Sequence, residues 1–211
     1  MAELGFRVLG AEPVLHGTSP LVSLRLEITT RQPVRALSLR AQVQIEAARR
    51  RYEADEAARL AGVFCEGARF DDALRSLVWA HVHVAVPAFD ARVEVDVLLP
   101  CSPDLRTERG TYLLAIDEGT IPVSLLFSGS IFYGDAGSAL RIAPVAWSSE
   151  ARFDLPAATC RAALAAHHGE LALVALPKAL VDRLQRARVR RALGGVDEAL
   201  TALLDLAGEA P

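Results

Sequence analysis

Lysine is nearly absent from this sequence. Lys178 is its single lysine, no asparagine occurs, and arginine carries the remaining positive charge. A P-loop needs a lysine directly after its glycines, and Lys178 follows Pro177, which excludes that mode of nucleotide binding. Cysteine is scarce as well. Cys65, Cys101 and Cys160 are odd in number and widely spaced, so neither a disulfide framework nor a C-x-x-C metal pattern can be read from them. The motifs H-E-x-x-H and G-x-G-x-x-G do not occur. No apolar run reaches the ~18 residues that a bilayer crossing requires. The opening Met1-Ala2-Glu3-Leu4-Gly5 has neither the basic patch nor the apolar stretch of a secretory signal. These absences predict a soluble, cytoplasmic protein with no membrane insertion. What is present suits a folded core: 52% of the 211 residues are hydrophobic, 23% are charged, and the net charge is −3.

The dominant pattern is alternation with a period of two. Val22, Leu24, Leu26 and Ile28 alternate with polar neighbours, as do Leu37, Leu39, Ala41, Val43 and Ile45. Val78 to Val86, Val93 to Leu99 and Val123 to Ile131 repeat the pattern, and residues 6–15 suggest one more strand. Successive side chains of a strand point to opposite faces, so each run buries one face and wets the other, the mark of antiparallel sheet. Arg40, Gln42, Gln44 and Glu46 are therefore expected on a polar outer face. The links 31–33, 87–90 and 134–137 are of hairpin length, the last leading into a strand within 140–147.

Helices are expected at 52–61, at 104–118 after Pro103, at 157–168 after Pro156, at 177–193 and in the final stretch striped by Val196, Leu200, Leu203 and Leu204. A short strand is expected at 170–176. The fold class is α+β, mainly antiparallel β: a two-sheet sandwich, or else one curved sheet covered by helices. The expected organisation is a β domain over 1–155 with helical insertions, and a mostly helical C-terminal part over 156–211. The leucines of the last two helices are expected to pack on the sheet, because short isolated helices are marginal in water.

Few residues suggest chemistry. His81 and His83, two apart on one strand, could share a metal if Glu94 or Asp96 completed the set; two polar residues on a wet strand face is the plainer reading. Cys101 precedes an expected helix, whose N-terminus can lower a thiol pKa; a small buried hydrophobe is the plainer reading. Phe127-Ser128-Gly129-Ser130 lacks the earlier glycine of a nucleophile elbow. His167 and His168 suit the end of a helix. Arg49-Arg50-Arg51 is followed at once by Glu53, Asp55 and Glu56, which suggests local pairing. No cofactor site is predicted, and an enzyme is the less favoured reading. The arginine-rich helix within 177–193 is amphipathic, and its Arg183, Arg186, Arg190 and Arg191 form the candidate interaction face. It lacks the interleaved aromatics expected of a nucleic-acid binder.

A longer series runs through the chain. It comprises Gln42 to Glu46, Arg49 to Tyr52, Leu74 to Trp79, Pro87, Phe89, Val95-Asp96, Pro100-Cys101, Asp104-Leu105, Tyr112, Gly119, Pro122, Leu125 to Phe132, Pro144, Trp147 and Leu155-Pro156. In this order, over about residues 5–205, the chain resembles a bacterial family of unknown function, mainly actinobacterial, often encoded near nickel–iron hydrogenase genes. The resemblance implies a protein partner and an accessory role in the assembly or stability of such a complex, or a structural subunit of a larger assembly. It supplies no site residues, and His81 and His83 are not part of its pattern. At the level of fold, Cys101-Ser102-Pro103, a helix, and then Gly119-Thr120-Ile121-Pro122 are similar to the SecB export chaperone. The competing expectation is a metal-handling or thiol-dependent enzyme using His81, His83 or Cys101.

Overall fold

The alternating runs become strands in the computed structural model, which describes residues 3–64, 69–134, 139–169 and 171–208. The chain divides into two compact units, Met1–Leu173 and Val174–Pro211. In the first unit, β1 (Leu4–Val14), β2 (Leu21–Thr30) and β5 (Arg92–Pro100) form one antiparallel sheet in the order β1-β2-β5. The second antiparallel sheet runs β4 (Ser76–Val86), β3 (Val34–Glu46), β6 (Thr120–Tyr133). Two short strands share the far side of β6. There β7 (Arg141–Pro144) pairs with Ser130 to Tyr133, and β8 (Glu150–Pro156) pairs with Thr120 to Leu126.

Both sheets turn their apolar faces to one core. Leu24, Leu26 and Ile28 of the first sheet and Leu37, Leu39, Val43 and Ile45 of the second are almost wholly buried. Phe6 of β1 stacks on Phe127 of β6 with ring centroids 4.1 Å apart. Each such side chain contributes about 1.5–3 kcal/mol of burial before conformational entropy is subtracted. On β3 the outward residues follow the period: Arg40 is exposed, and Gln42, Gln44 and Glu46 are half-buried between neighbouring strands.

Two links of hairpin length are not hairpins. Residues 31–33 carry the chain from the first sheet to the second, and residues 87–90 carry it back. Leaving a sheet strands backbone groups that a ladder would have paired, and these two crossings pair with each other. Val34 N–H donates to Phe89 O at 2.8 Å, Phe89 N–H to Val34 O at 2.9 Å, and Thr30 N–H to Ala91 O at 2.9 Å. Of the expected turn at 134–137, residues 135–137 lie outside the described residues.

The helix expected over 104–118 forms only as α3 (Glu108–Ala115), if the helices are counted in chain order after α1 (Ala54–Leu60) and α2 (Phe70–Ala73). Its start is set by Thr107, whose hydroxyl donates to Asp104 O at 3.0 Å and accepts from Gly110 N–H at 3.0 Å. Gly110 is required there, because a Cβ would stand 2.1 Å from Asp104 O. The strand expected at 170–176 reduces, among the described residues, to one bridge between Asp104 and Leu173, and residue 170 lies outside them. Leu173 N–H donates to Pro103 O at 2.9 Å, so the segment braces the approach to α3 instead of joining a sheet. Strand β8 was not expected, although Ala151, Phe153 and Leu155 alternate across it.

The insertion between β3 and β4 holds a polar cluster. A 3-10 turn (Ala47–Arg49) leads to Arg50, whose guanidinium donates to Glu118 O at 2.9 Å and Thr120 O at 2.7 Å and pairs with Glu56. Glu56 belongs to α1, which Glu53 and Glu56 close with a reciprocal capping box. Tyr52 OH donates to Ala47 O at 2.8 Å and lies 2.8 Å from Tyr112 OH. Phe64 and Phe70 meet these tyrosines edge to face. Burial pushes both phenols above their ordinary pKa of 10.0. α4 (Ala157–His168) closes the first unit against β1 and β2, with Ala157, Cys160, Ala163 and Leu164 buried.

The second unit is a helical hairpin, α5 (Lys178–Arg190) and α6 (Val196–Ala207). Its link is held by Leu193 N–H on Arg188 O at 3.0 Å and by Gly194 N–H on the Glu198 carboxylate at 2.7 Å. Leu184 and Ala199 are buried.

Candidate interaction surfaces

The helical period of α5 places Leu180, Leu184 and Ala187 on one side. With Leu203 of α6 they floor a groove of about 370 Å³, and Arg183, Arg186 and Arg190 stand on its rim. Arg191 follows at the end of the helix and is exposed. Three of the four arginines named from the sequence therefore share the groove rim, and Arg191 is not among its lining residues. Lys178 pairs with Asp182 at 3.0 Å, but none of the four reaches a carboxylate among the described residues of this unit.

A second surface was not anticipated. Ile142 on β7 lies opposite Phe132 on β6, and both Ile142 and the nearby Leu140 are exposed. Beyond β7 the chain makes a tight turn, closed by Ser149 N–H on Ala146 O at 3.0 Å. Trp147 sits on that turn with 95% of its surface exposed. Tryptophan usually buries much of its large area, so its full exposure on a tight turn makes Trp147 a candidate contact residue. Trp147 belongs to the series that carries the family resemblance, but a tryptophan in an apolar stretch reads from sequence as core.

His81 and His83 both lie exposed on the outer face of the second sheet, as their spacing requires. His81 faces Gln42, with Nε2 and Oε1 3.2 Å apart, and His83 lies opposite Arg40. Glu94 and Asp96 cannot complete a metal set with them, because β5 belongs to the other sheet. Glu94 is paired with Arg92 at 2.5 Å, and Asp96 accepts from the Ser23 hydroxyl at 3.0 Å. Among the described residues no group of three His, Cys, Asp or Glu side chains is placed to hold a metal.

Cys101 is buried and does not stand at a helix N-terminus, since α3 begins seven residues later. Its neighbour is the Cys160 thiol in the first turn of α4, and this contact together with burial pushes the Cys160 thiol pKa well up. Cys65 lies outside the described residues. Ser128 and Gly129 are mid-strand in antiparallel β6 and not on a strand-to-helix turn. His167 sits at the end of α4, its ring between Ala163 O at 3.1 Å and Gly17 O at 3.3 Å. Among the described residues no helix is long and apolar enough to cross a membrane.

A family of unknown function (DUF6084) matches residues 1–211. The chain belongs to that family. No curated protein matches the chain. Among solved structures it is similar to β-glucosidase 3B from Thermotoga neapolitana, solved with α-D-glucose, at 11% identity and a TM-score of 0.28. That similarity covers 72% of this chain and 17% of the glucosidase, and it carries no argument about function. Membership of the family assigns no activity, so what the chain does has to be argued from its surfaces.

Proposed function

We propose that the chain is a non-enzymatic accessory protein that holds a protein partner on its β unit. The observation that carries this reading is Trp147, almost fully exposed on the tight turn that follows β7, on a segment that also exposes Leu140 and Ile142. Aromatic anchors of this kind dominate the binding energy of protein interfaces, and an apolar side chain held in water is explained by a partner that covers it. The partner implied by the sequence resemblance is a nickel–iron hydrogenase-type complex, whose assembly or stability the chain would support.

The test is purification of the tagged chain from its native host, with and without Trp147→Ala. The expected result is co-enrichment of hydrogenase subunits with the unaltered chain. Trp147→Ala should lose them while keeping its melting temperature. Deletion of the gene should lower hydrogen uptake. If no hydrogenase subunit co-enriches and uptake is intact after deletion, the partner assignment is wrong. If partners co-enrich equally with Trp147→Ala, this surface is not the docking site.

A further inference from the structure

The helical hairpin is divided by charge. α5 carries Lys178, Arg183, Arg186, Arg188 and Arg190 against a single acid, Asp182. α6 carries Asp197, Glu198 and Asp205 and no base. Opposite charges on adjacent helices would be expected to pair across the hairpin, yet among the described residues of this unit no arginine of α5 meets a carboxylate of α6. Arg183, Arg186 and Arg190 of α5 and Asp197, Glu198 and Asp205 of α6 are all exposed instead. Apolar surface accompanies both. Leu180 and Val189 are exposed on α5, and Leu200, Leu203 and Leu204 on α6. The groove between the helices has a leucine floor and an arginine rim.

From this we infer that the hairpin pairs with the hairpin of a second copy of the chain, forming a four-helix bundle in which α6 of each copy lies along the arginine-rimmed groove of the other. The occupant follows from the chemistry of the groove. It must supply an amphipathic helix with leucines at helical spacing, to cover the floor, and carboxylates beside them, to meet Arg183, Arg186 and Arg190. α6 has that composition, with Leu200, Leu203 and Leu204 beside Asp197 and Asp205. A two-fold axis makes the contact self-complementary, since each copy offers one basic and one acidic helix. Each copy's Leu200, Leu203 and Leu204 would then be covered by the groove of the other. The candidate interaction residues Arg183, Arg186 and Arg190 are thereby assigned to self-association.

Sedimentation of the full chain tests the inference. The expected result is a dimer whose dissociation constant rises by about tenfold or more with added salt, because the paired charges are screened. The neutral variant Arg183→Gln with Arg186→Gln and Arg190→Gln keeps good helix formers and should dimerise about tenfold or more weakly. Reversing these arginines to glutamate should give a monomer, as should Asp197→Arg with Asp205→Arg. Mixing the two reversed variants should restore a one-to-one heterodimer that neither forms alone. Circular dichroism of each variant confirms that the helices are intact, and the glutamine variant remains decisive if a reversed one unfolds. A full chain that stays monomeric at about 100 μM in low salt would overturn the inference. So would a dimer that the glutamine variant leaves unchanged. A monomer whose α6 amides are strongly protected from hydrogen exchange would place the chain's own β unit, or another partner, over these leucines instead.

Discussion

Replacing Gly129 with alanine puts a methyl group against the backbone of the neighbouring strand. The added Cβ would stand 2.0 Å from Ser38 O, 3.1 Å from Ser38 C and 3.2 Å from Leu39 Cα. An ordinary carbon–oxygen contact is about 3.3 Å or more, so β6 would have to retreat from β3 by roughly 1.3 Å. That retreat occurs at the centre of the second sheet, where Leu39 pairs with Gly129 and Ala41 with Phe127, both over the core. Gly129 also has φ of +145°, a conformation that side chains with a Cβ rarely adopt. Backbone strain of this kind costs about 1–3 kcal/mol and overpacking about 1–3 kcal/mol more. Together they give roughly 2–6 kcal/mol, a large part of the ~5–15 kcal/mol that stabilises a typical domain. For a domain of this size the melting temperature should fall by roughly 4–24 °C. Thermal melts followed by circular dichroism, with urea titrations beside them, measure the effect. Gly10→Ala on β1 is the control, because a Cβ there meets nothing within 4 Å. If Gly129→Ala melts within about 2 °C of Gly10→Ala, the close approach of β3 and β6 is not a constraint and the reasoning fails.

Arg50→Ala should cost about 3–5 kcal/mol in urea unfolding, because it leaves the nearly buried Glu56 carboxylate without its partner and two carbonyls without donors. Arg50→Met with Glu56→Leu should cost much less, and equal losses for the single and double variants would show that charge pairing is not the cause. The Asp104 carboxyl is held down to about 2 by hydrogen bonds from the Arg106 side chain and backbone N–H. Its stabilising effect is therefore present above the ordinary value of 3.8 and lost as pH falls toward 2. Carbon-13 NMR titration should show that midpoint in the unaltered chain and a rise toward 3.8 in Arg106→Gln, whereas an unchanged midpoint in the variant would remove Arg106 as the cause. Burial holds the Tyr52 and Tyr112 phenols above 10.0, so stability is full below that pH and is lost as pH rises beyond it. Ultraviolet difference titration should show these two ionising together with alkaline unfolding, and ionisation of either in the folded chain would count against the buried cluster.

The facing of β2, β3 and β5 was decided by the sequence alone. On β4 the period grouped Val78 with the apolar face, but the register shifts opposite Val43 and Gln44, so Trp79 is buried and Val78 exposed, and β8 was missed altogether. A period of two admits one assignment of inside and outside, and a slip of one residue on β3 would have buried Arg40 and Gln42 in place of Leu39 and Val43. The α+β class, the outward direction of His81 and His83 and the amphipathic stripe of α5 were legible for the same reason: each rests on neighbours within a single element. Which strand lies beside which was not legible. Short links at 31–33 and 87–90 read as hairpins, and only packing decided that they cross between sheets, because their backbone partners are each other and lie far apart in sequence. That crossing put Glu94 and Asp96 on a different sheet from the histidines and closed the one metal arrangement the spacing had suggested. Gly129 read only as part of a failed elbow; the tertiary structure gave it, and Gly110, a reason, a backbone atom too close to admit a Cβ. Trp147 marks the limit most plainly. Its side chain is as apolar as that of Trp79, which is buried with its indole N–H on Pro100 O at 2.9 Å. Sequence records what a residue can bury, and only the three-dimensional arrangement of its neighbours determines whether anything covers it.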